Sequence, residues 1–211
     1  MKDGASGFGE MTPEHFAMNA NGFYEYAPAD HPLFLSLIDI SAEHGGAPIS
    51  VHMEAVSKPM PIPPELASSH NNAPQLHANI PAFERLLSHN PHGNIVWAHE
   101  GWDNTGDRTV ELSRRLLKAH PNLYMEIKID PVEPGKNYIL ENAGSGAIKP
   151  EWLQLFKDFP DRFVIGSDQV YPEPKDQPQH WQSSVILLNQ LSPDMRKKIA
   201  FENTARLYHF N

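Results

Sequence analysis

Apolar residues along this chain fall in short runs, each followed by a longer segment in which they recur every three or four positions. The first pattern suits buried strands and the second suits amphipathic helices. Runs at Gly7–Met11, Pro48–Met53, Asn94–His99, Leu123–Ile129 and Arg162–Asp168 predict five strands. Helical periodicity predicts Asp30–His44, with Asp30 as N-cap, Pro32 in the first turn and Gly45-Gly46 as the stop. It also predicts Gln75–Ser88, Thr105–Ala119 with Leu112, Leu116 and Leu117 on one face, Glu151–Asp158 and Gln179–Gln190. Two short helical pieces, Pro193–Ala200 and Asn203–Tyr208, close the chain. A Pro-rich loop runs on to Pro74 after the second strand, and another follows Asp168.

Strand followed by helix, repeated, is the signature of α/β architecture with parallel strands. Five such units fit either a small doubly wound sheet or part of an eight-stranded barrel. The strand ends separate the two. Three strands finish in His52, His99 and Asp168, and a fourth carries Glu10 at its end. A barrel with its active site at the C-terminal ends of its strands requires that pattern, so the fold expected is a partial (β/α)8 TIM-type barrel forming a single domain over residues 1–211.

Composition narrows the chemistry. With 40% hydrophobic and 20% charged residues, the chain has the usage of an ordinary globular protein. A net charge of −9 with scattered Lys and Arg leaves no footprint for nucleic acid or an anionic membrane surface. No apolar run approaches the roughly 20 residues that span a bilayer, and no apolar h-region follows Met1, so the cytoplasm is the default compartment. Cysteine is absent, so thiolate sites are excluded and a transition metal would have to be held by carboxylates and some of the twelve histidines.

Side chains alternate along a strand, so Ser50 and His52 are expected on one face, as are Ile95, Trp97 and His99, and likewise Val164, Gly166 and Asp168. Imidazole and carboxylate suit Zn²⁺ and related ions, and a carboxylate beside an activated water can take its proton. Asp168 is the candidate for both tasks. Taken singly, a strand-end histidine is more often a hydrogen-bonded residue at the edge of a core, and Asp168 could simply cap the following loop. Glu126 and Lys128 share a face and either point inward or form a solvated pair; Trp102 either lines a pocket or packs. His15, His70, His77 and His180 have no spacing that singles them out.

As a set, Pro48-Ile-Ser-Val-His52, Asn94-Ile-Val-Trp-Ala-His99-Glu-Gly, Arg162-Phe-Val-Ile-Gly-Ser-Asp168 and the ending Glu202-Asn-Thr-Ala-Arg206-Leu-Tyr resemble the amidohydrolase superfamily. Within it, they are similar to the amidohydrolase-2 group of metal-dependent hydrolases and decarboxylases. The resemblance implies that His52 is a metal ligand ending the family's fifth strand. It implies that His99 ends the sixth as a ligand or electrophile, and that Asp168 ends the eighth as a metal-linked general base. Gly7-Phe-Gly-Glu10 resembles the fourth strand, whose carboxylate is a ligand or substrate contact in some relatives; an ordinary surface carboxylate is the other reading of Glu10. The implied cofactor is a divalent metal, zinc first. The implied reaction is hydrolysis of a C–N or C–O bond, or decarboxylation, of a small molecule.

One departure stands out. The family's first strand ends in a His-x-His pair, and no two histidines here are separated by one residue. The first three barrel units are therefore expected to be missing, through truncation or in a shortened relative. A half-barrel leaves sheet edges and an inner face exposed, which a homo-oligomer would cover. A non-catalytic barrel fragment or binding module with an incomplete metal site is the alternative function. A third reading is a sugar-isomerase-like barrel using Glu10, His52 and Asp168.

Overall fold

In a computed structural model describing residues 4–129, 138–142, 145–168 and 180–210, the strand residues Ile49, Val51, Ile95, Trp97, Leu123, Met125 and Phe163 face a helical layer, while Val96, Tyr124 and Val164 between them face a concave surface. The strands are β1 (Phe8–His15), β2 (Glu25–Tyr26), β3 (Ile49–Met53), β4 (Met60–Pro61), β5 (Gln75–Leu76), β6 (Ile95–Glu100), β7 (Leu123–Ile127), β8 (Leu140–Asn142), β9 (Ser145–Ile148) and β10 (Phe163–Ile165). The helices are α1 (Pro32–Glu43), α2 (Ile80–His89), α3 (Val110–Ala119), α4 (Pro150–Asp158), α5 (His180–Leu188), α6 (Pro193–Lys197) and α7 (Asn203–Leu207), with a π-helical turn at Lys198–Glu202 joining the last two. The main sheet runs β10-β7-β6-β3-β1-β2. All its pairings are parallel except β1 with the short β2, and β10 and β2 are its two edges, so the barrel is not closed. The expected partial barrel of about five parallel strands is the fold. None of the described helices is long and apolar enough to cross a membrane.

The core lies between sheet and helices. Ile49, Val51, Ile95, Trp97, Leu123, Met125 and Phe163 pack there against Ile38 of α1, Phe83 and Leu86 of α2, Leu116 of α3 and Trp152 and Phe156 of α4. Period-2 residues on the strands meet period-3.6 stripes on the helices, which is how a sheet and a helix each bury one face. On the concave side, Val96 and Val164 are covered by Leu207 of α7, with Tyr124 and Tyr208 beside them.

Several element ends differ from expectation. The cap of α1 is His31, whose Nδ1 accepts from the Leu33 amide at 3.3 Å, because the Asp30 carboxylate is held by Arg85 at 2.6 Å. Helix α2 begins at Ile80 rather than Gln75. The Asn79 side chain accepts from the Val56 amide at 2.9 Å and donates to the Glu54 carbonyl at 2.8 Å, which ties the preceding residues into an extended return that pairs with β4. Helix α3 begins at Val110 with Thr109 as cap, since Asp103 and Thr105 organise the residues before it as a turn. The long loop after His52 buries Val56, Leu66 and Leu76 against Phe16, just beyond β1, so it sits at the C-terminal ends of the strands. The Pro-rich loop after Asp168 and the start of the helix predicted from Gln179 lie outside the described residues.

Candidate metal centre

Glu10 sits where β1 carries one residue more than β3: Phe8 pairs with Ile49 and Met11 with Val51. A bulge of this kind re-aims a side chain without ending the strand. The Glu10 carboxylate reaches His52, Oε1 to Nδ1 at 2.7 Å. His52 itself follows simple alternation, opposite in sense to its core-facing neighbours Val51 and Met53.

His99 does not. Alternation would put it with Ile95 and Trp97 on the helix side. Instead β6 has an extra residue relative to β7 between Trp97 and Glu100, and His99 takes a left-handed φ of 66°. The slip leaves Trp97 and Glu100 both toward the helices and turns His99 to the concave side, its ring 4.8 Å from that of His52 and nearly perpendicular to it. Glu100, one residue past the strand expected to end at His99, is thus a fully buried strand residue bound to Arg108 and Ser113. The Arg108 guanidinium also donates to the carbonyls of Ala98 at 2.5 Å and Trp97 at 3.2 Å and stacks on the Trp97 ring. Those bonds satisfy backbone groups that the bulge takes out of the β-ladder.

Asp168 lies three residues past β10, also left-handed with φ 50°. One carboxylate oxygen faces His99 Nε2 at 3.8 Å and the other accepts from Lys128 Nζ at 2.7 Å. Lys128 is buried and lies over the Trp102 ring, so the aromatic after His99 packs against the ammonium that holds Asp168. Glu126 points inward too. A Cβ on Gly166 would fall on its carboxyl, so any side chain at Gly166 would displace Glu126.

The structure therefore brings all four expected residues to one place. Glu10, His52 and His99 each offer a donor atom, and the three atoms lie within 4.8 Å of one another. Burial, then the neighbouring His52, depress His99 to about 4, so its imidazole is neutral and free to act as a nitrogen ligand. The His52 hydrogen bond draws the Glu10 carboxyl down against the opposing effect of burial. At Asp168 burial pushes upward, but the Lys128 ammonium and the two imidazoles outweigh it, and the carboxyl is held below its ordinary value. Carboxylate oxygens and imidazole nitrogens together form a donor set suited to a borderline divalent ion.

These residues line a cavity of about 410 Å³ together with Thr12, His15, Phe23 and Glu25. A second, of about 210 Å³, shares His15, His52, His99 and Asp168 with the first and adds Glu54, Trp102, Asn104 and Lys128. Sequence reasoning passed over His15, whose ring lies 5.1 Å from that of His52. Its signal was a strand that continues past Glu10 through Pro13, hidden because the bulges break alternation. The wall is anchored beneath by buried Glu14, which accepts from Asn79 at 2.6 Å and Tyr24 at 2.9 Å.

Comparison with known proteins supplies a lineage. The amidohydrolase family model (Amidohydro_2) matches residues 21–210, which include His52, His99 and Asp168 and leave out Glu10. Among solved structures, an uncharacterized TIM-barrel protein from Bordetella bronchiseptica is similar at 18% identity and TM-score 0.53, over 87% of this chain and 52% of that one. Amidohydrolase 2 from Bifidobacterium longum subsp. infantis aligns at 14% identity and TM-score 0.48, over 87% and 57%. A dihydroorotase from Campylobacter jejuni aligns at 20% identity and TM-score 0.45, over 82% and 51%. The chain spans about half the length of these structures. No curated protein matches it.

Proposed function

Because the chain belongs to the amidohydrolase family, we propose that it is the C-terminal portion of a (β/α)8 barrel that hydrolyses a C–N or C–O bond in a small molecule. The observation that carries this reading is the convergence of Glu10, His52 and His99 within 4.8 Å, with Asp168 beside His99 at the same cavity. Glu10, His52 and His99 would hold a divalent metal ion, zinc in the first instance. Such an ion polarises a carbonyl and lowers the pKa of water. Asp168, ionised and oriented by Lys128, accepts the proton of the attacking water through the oxygen that faces His99. His99, neutral and buried, serves either as a ligand of that ion or as the electrophile against the scissile group. Decarboxylation is the other reaction of this reading, with the same residues holding the substrate.

Calorimetric titration of Zn²⁺ into the chain and into H52A, with hydrolysis of a nitrophenyl ester, an anilide and a lactam, tests the proposal. Weak binding that H52A loses, with slow metal-dependent turnover, is expected; a titration that H52A leaves unchanged would refute it. A second reading, a binding module with an incomplete site, is favoured by the absence of any His-x-His pair in the sequence. It predicts metal binding without turnover of any of the three substrates.

A further inference from the structure

We infer that the ligand of this cavity carries a cationic amine, which Glu25 and Phe23 recognise at the mouth while the reacting group lies inward at His52 and His99. The inference deepens the proposed function by naming its substrate class, and it rests on that cavity being the active site.

The charges around the cavity all point one way. Glu10, Asp168 and Glu25 all line it, and among the described residues no Lys or Arg does. The adjoining cavity has Lys128, but its ammonium is already engaged by Asp168 at 2.7 Å, and Glu54 adds a further carboxylate there. A divalent ion on the inner donors would offset Glu10 and favour the polar, reacting end of a ligand. It would leave Glu25 at the mouth uncompensated. An anionic group at the mouth would face Glu25 with no described cation to receive it. An ammonium there would gain.

The placement of Glu25 and Phe23 is specific. Glu25 belongs to β2 and pairs in register with His15 of β1, so the antiparallel ladder holds it on the wall that His15 also lines. Directly paired residues in a ladder project to the same face. Phe23 is 78% exposed although it lines the cavity. An aromatic face on the same wall as an anion is the arrangement that receives an ammonium through cation–π and Coulomb attraction together. Thr12 on the same wall supplies a hydroxyl acceptor for one N–H.

The test uses three probes of one shape: benzylammonium, benzyl alcohol and benzoate, with Kd read by ligand-observed NMR at low salt on the metal-free chain and on E25Q and F23A. Metal-free protein is chosen so that benzoate cannot gain from a metal. Benzylammonium should bind on the order of tenfold tighter than benzoate, with benzyl alcohol between them. E25Q should remove about fivefold of that preference, F23A should weaken benzylammonium more than benzoate, and about 0.5 M salt should compress the differences. Benzoate binding as tightly as benzylammonium overturns the inference, as does a preference that E25Q and F23A both leave intact. The two readings fail separately. If Zn²⁺ fails to bind while the ammonium preference stands, the metal reading falls and the recognition inference holds. If metal binds and substrate turns over without the preference, the recognition inference falls and the metal reading holds.

Discussion

Arg108 and Glu100 form an ion pair sealed from water, Nε to Oε2 at 2.7 Å, on the helix side of the strand that presents His99 on the other side. The same guanidinium holds the carbonyls on either side of the Trp97–Ala98 step, so one side chain secures both the charge of Glu100 and the bulge that aims His99. Removing one member of a buried pair leaves the other uncompensated. Arg108→Met should therefore cost about 3–5 kcal/mol, whereas replacing Glu100 and Arg108 together by apolar residues should cost clearly less. Urea unfolding of the single and double variants measures both values, and a single variant as stable as the wild type would show that the pair is not structural.

Metal affinity should depend on the converging donors and not on the surface histidines. Glu10→Gln, His52→Ala and His99→Ala should each weaken Zn²⁺ binding by more than about 100-fold, since even the partners that orient ligands are worth roughly 10–100-fold. His89→Ala, whose imidazole pairs with Asp39 on the surface, should leave the titration unchanged. Calorimetry with a competing chelator reads the comparison, and an effect of His89→Ala as large as that of His52→Ala would relocate the site.

Lys128 sets the ionisation of Asp168. Without the ammonium, burial is opposed only by the two imidazoles, so Lys128→Met should raise the pH at which Asp168 loses its proton. Lys128→Arg keeps the charge and should retain most of the wild-type behaviour. A carboxyl titration followed by ¹³C NMR in the metal-free protein gives the shift directly; an unchanged midpoint in Lys128→Met would remove Lys128 from the site's electrostatics.

Glu126 should make the metal-free protein less stable as pH rises. Burial, with repulsion from Glu10 and Asp168, lifts its carboxyl from 4.5 to about 7. The folded state therefore keeps a proton that the unfolded chain releases near pH 4.5. The stabilising contribution is complete below that pH and is lost as pH rises through about 7, by at most about 3 kcal/mol. Glu126→Gln should flatten the decline. Unfolding curves between about pH 4.5 and 8 on both proteins test this, and parallel profiles would contradict it.

The alternation of strand and helix, the partial barrel, the apolar faces that join sheet to helices, and the identity of the four residues gathered at the site were all legible along the chain. Each of these depends on periodicity or on residue type at a strand end, which are local properties of the chain. How the four residues meet was decided by the tertiary structure. Alternation alone turned His99 toward the helices, and only the extra residue opposite β7, held by Arg108 from ten positions downstream, turned it toward His52. The same holds for Glu10, re-aimed by a bulge against β3, and for His15 and Glu25, brought to the cavity by pairing between β1 and β2. A bulge is a mismatch in residue count between two strands, so it belongs to the pair and cannot be read from either strand alone.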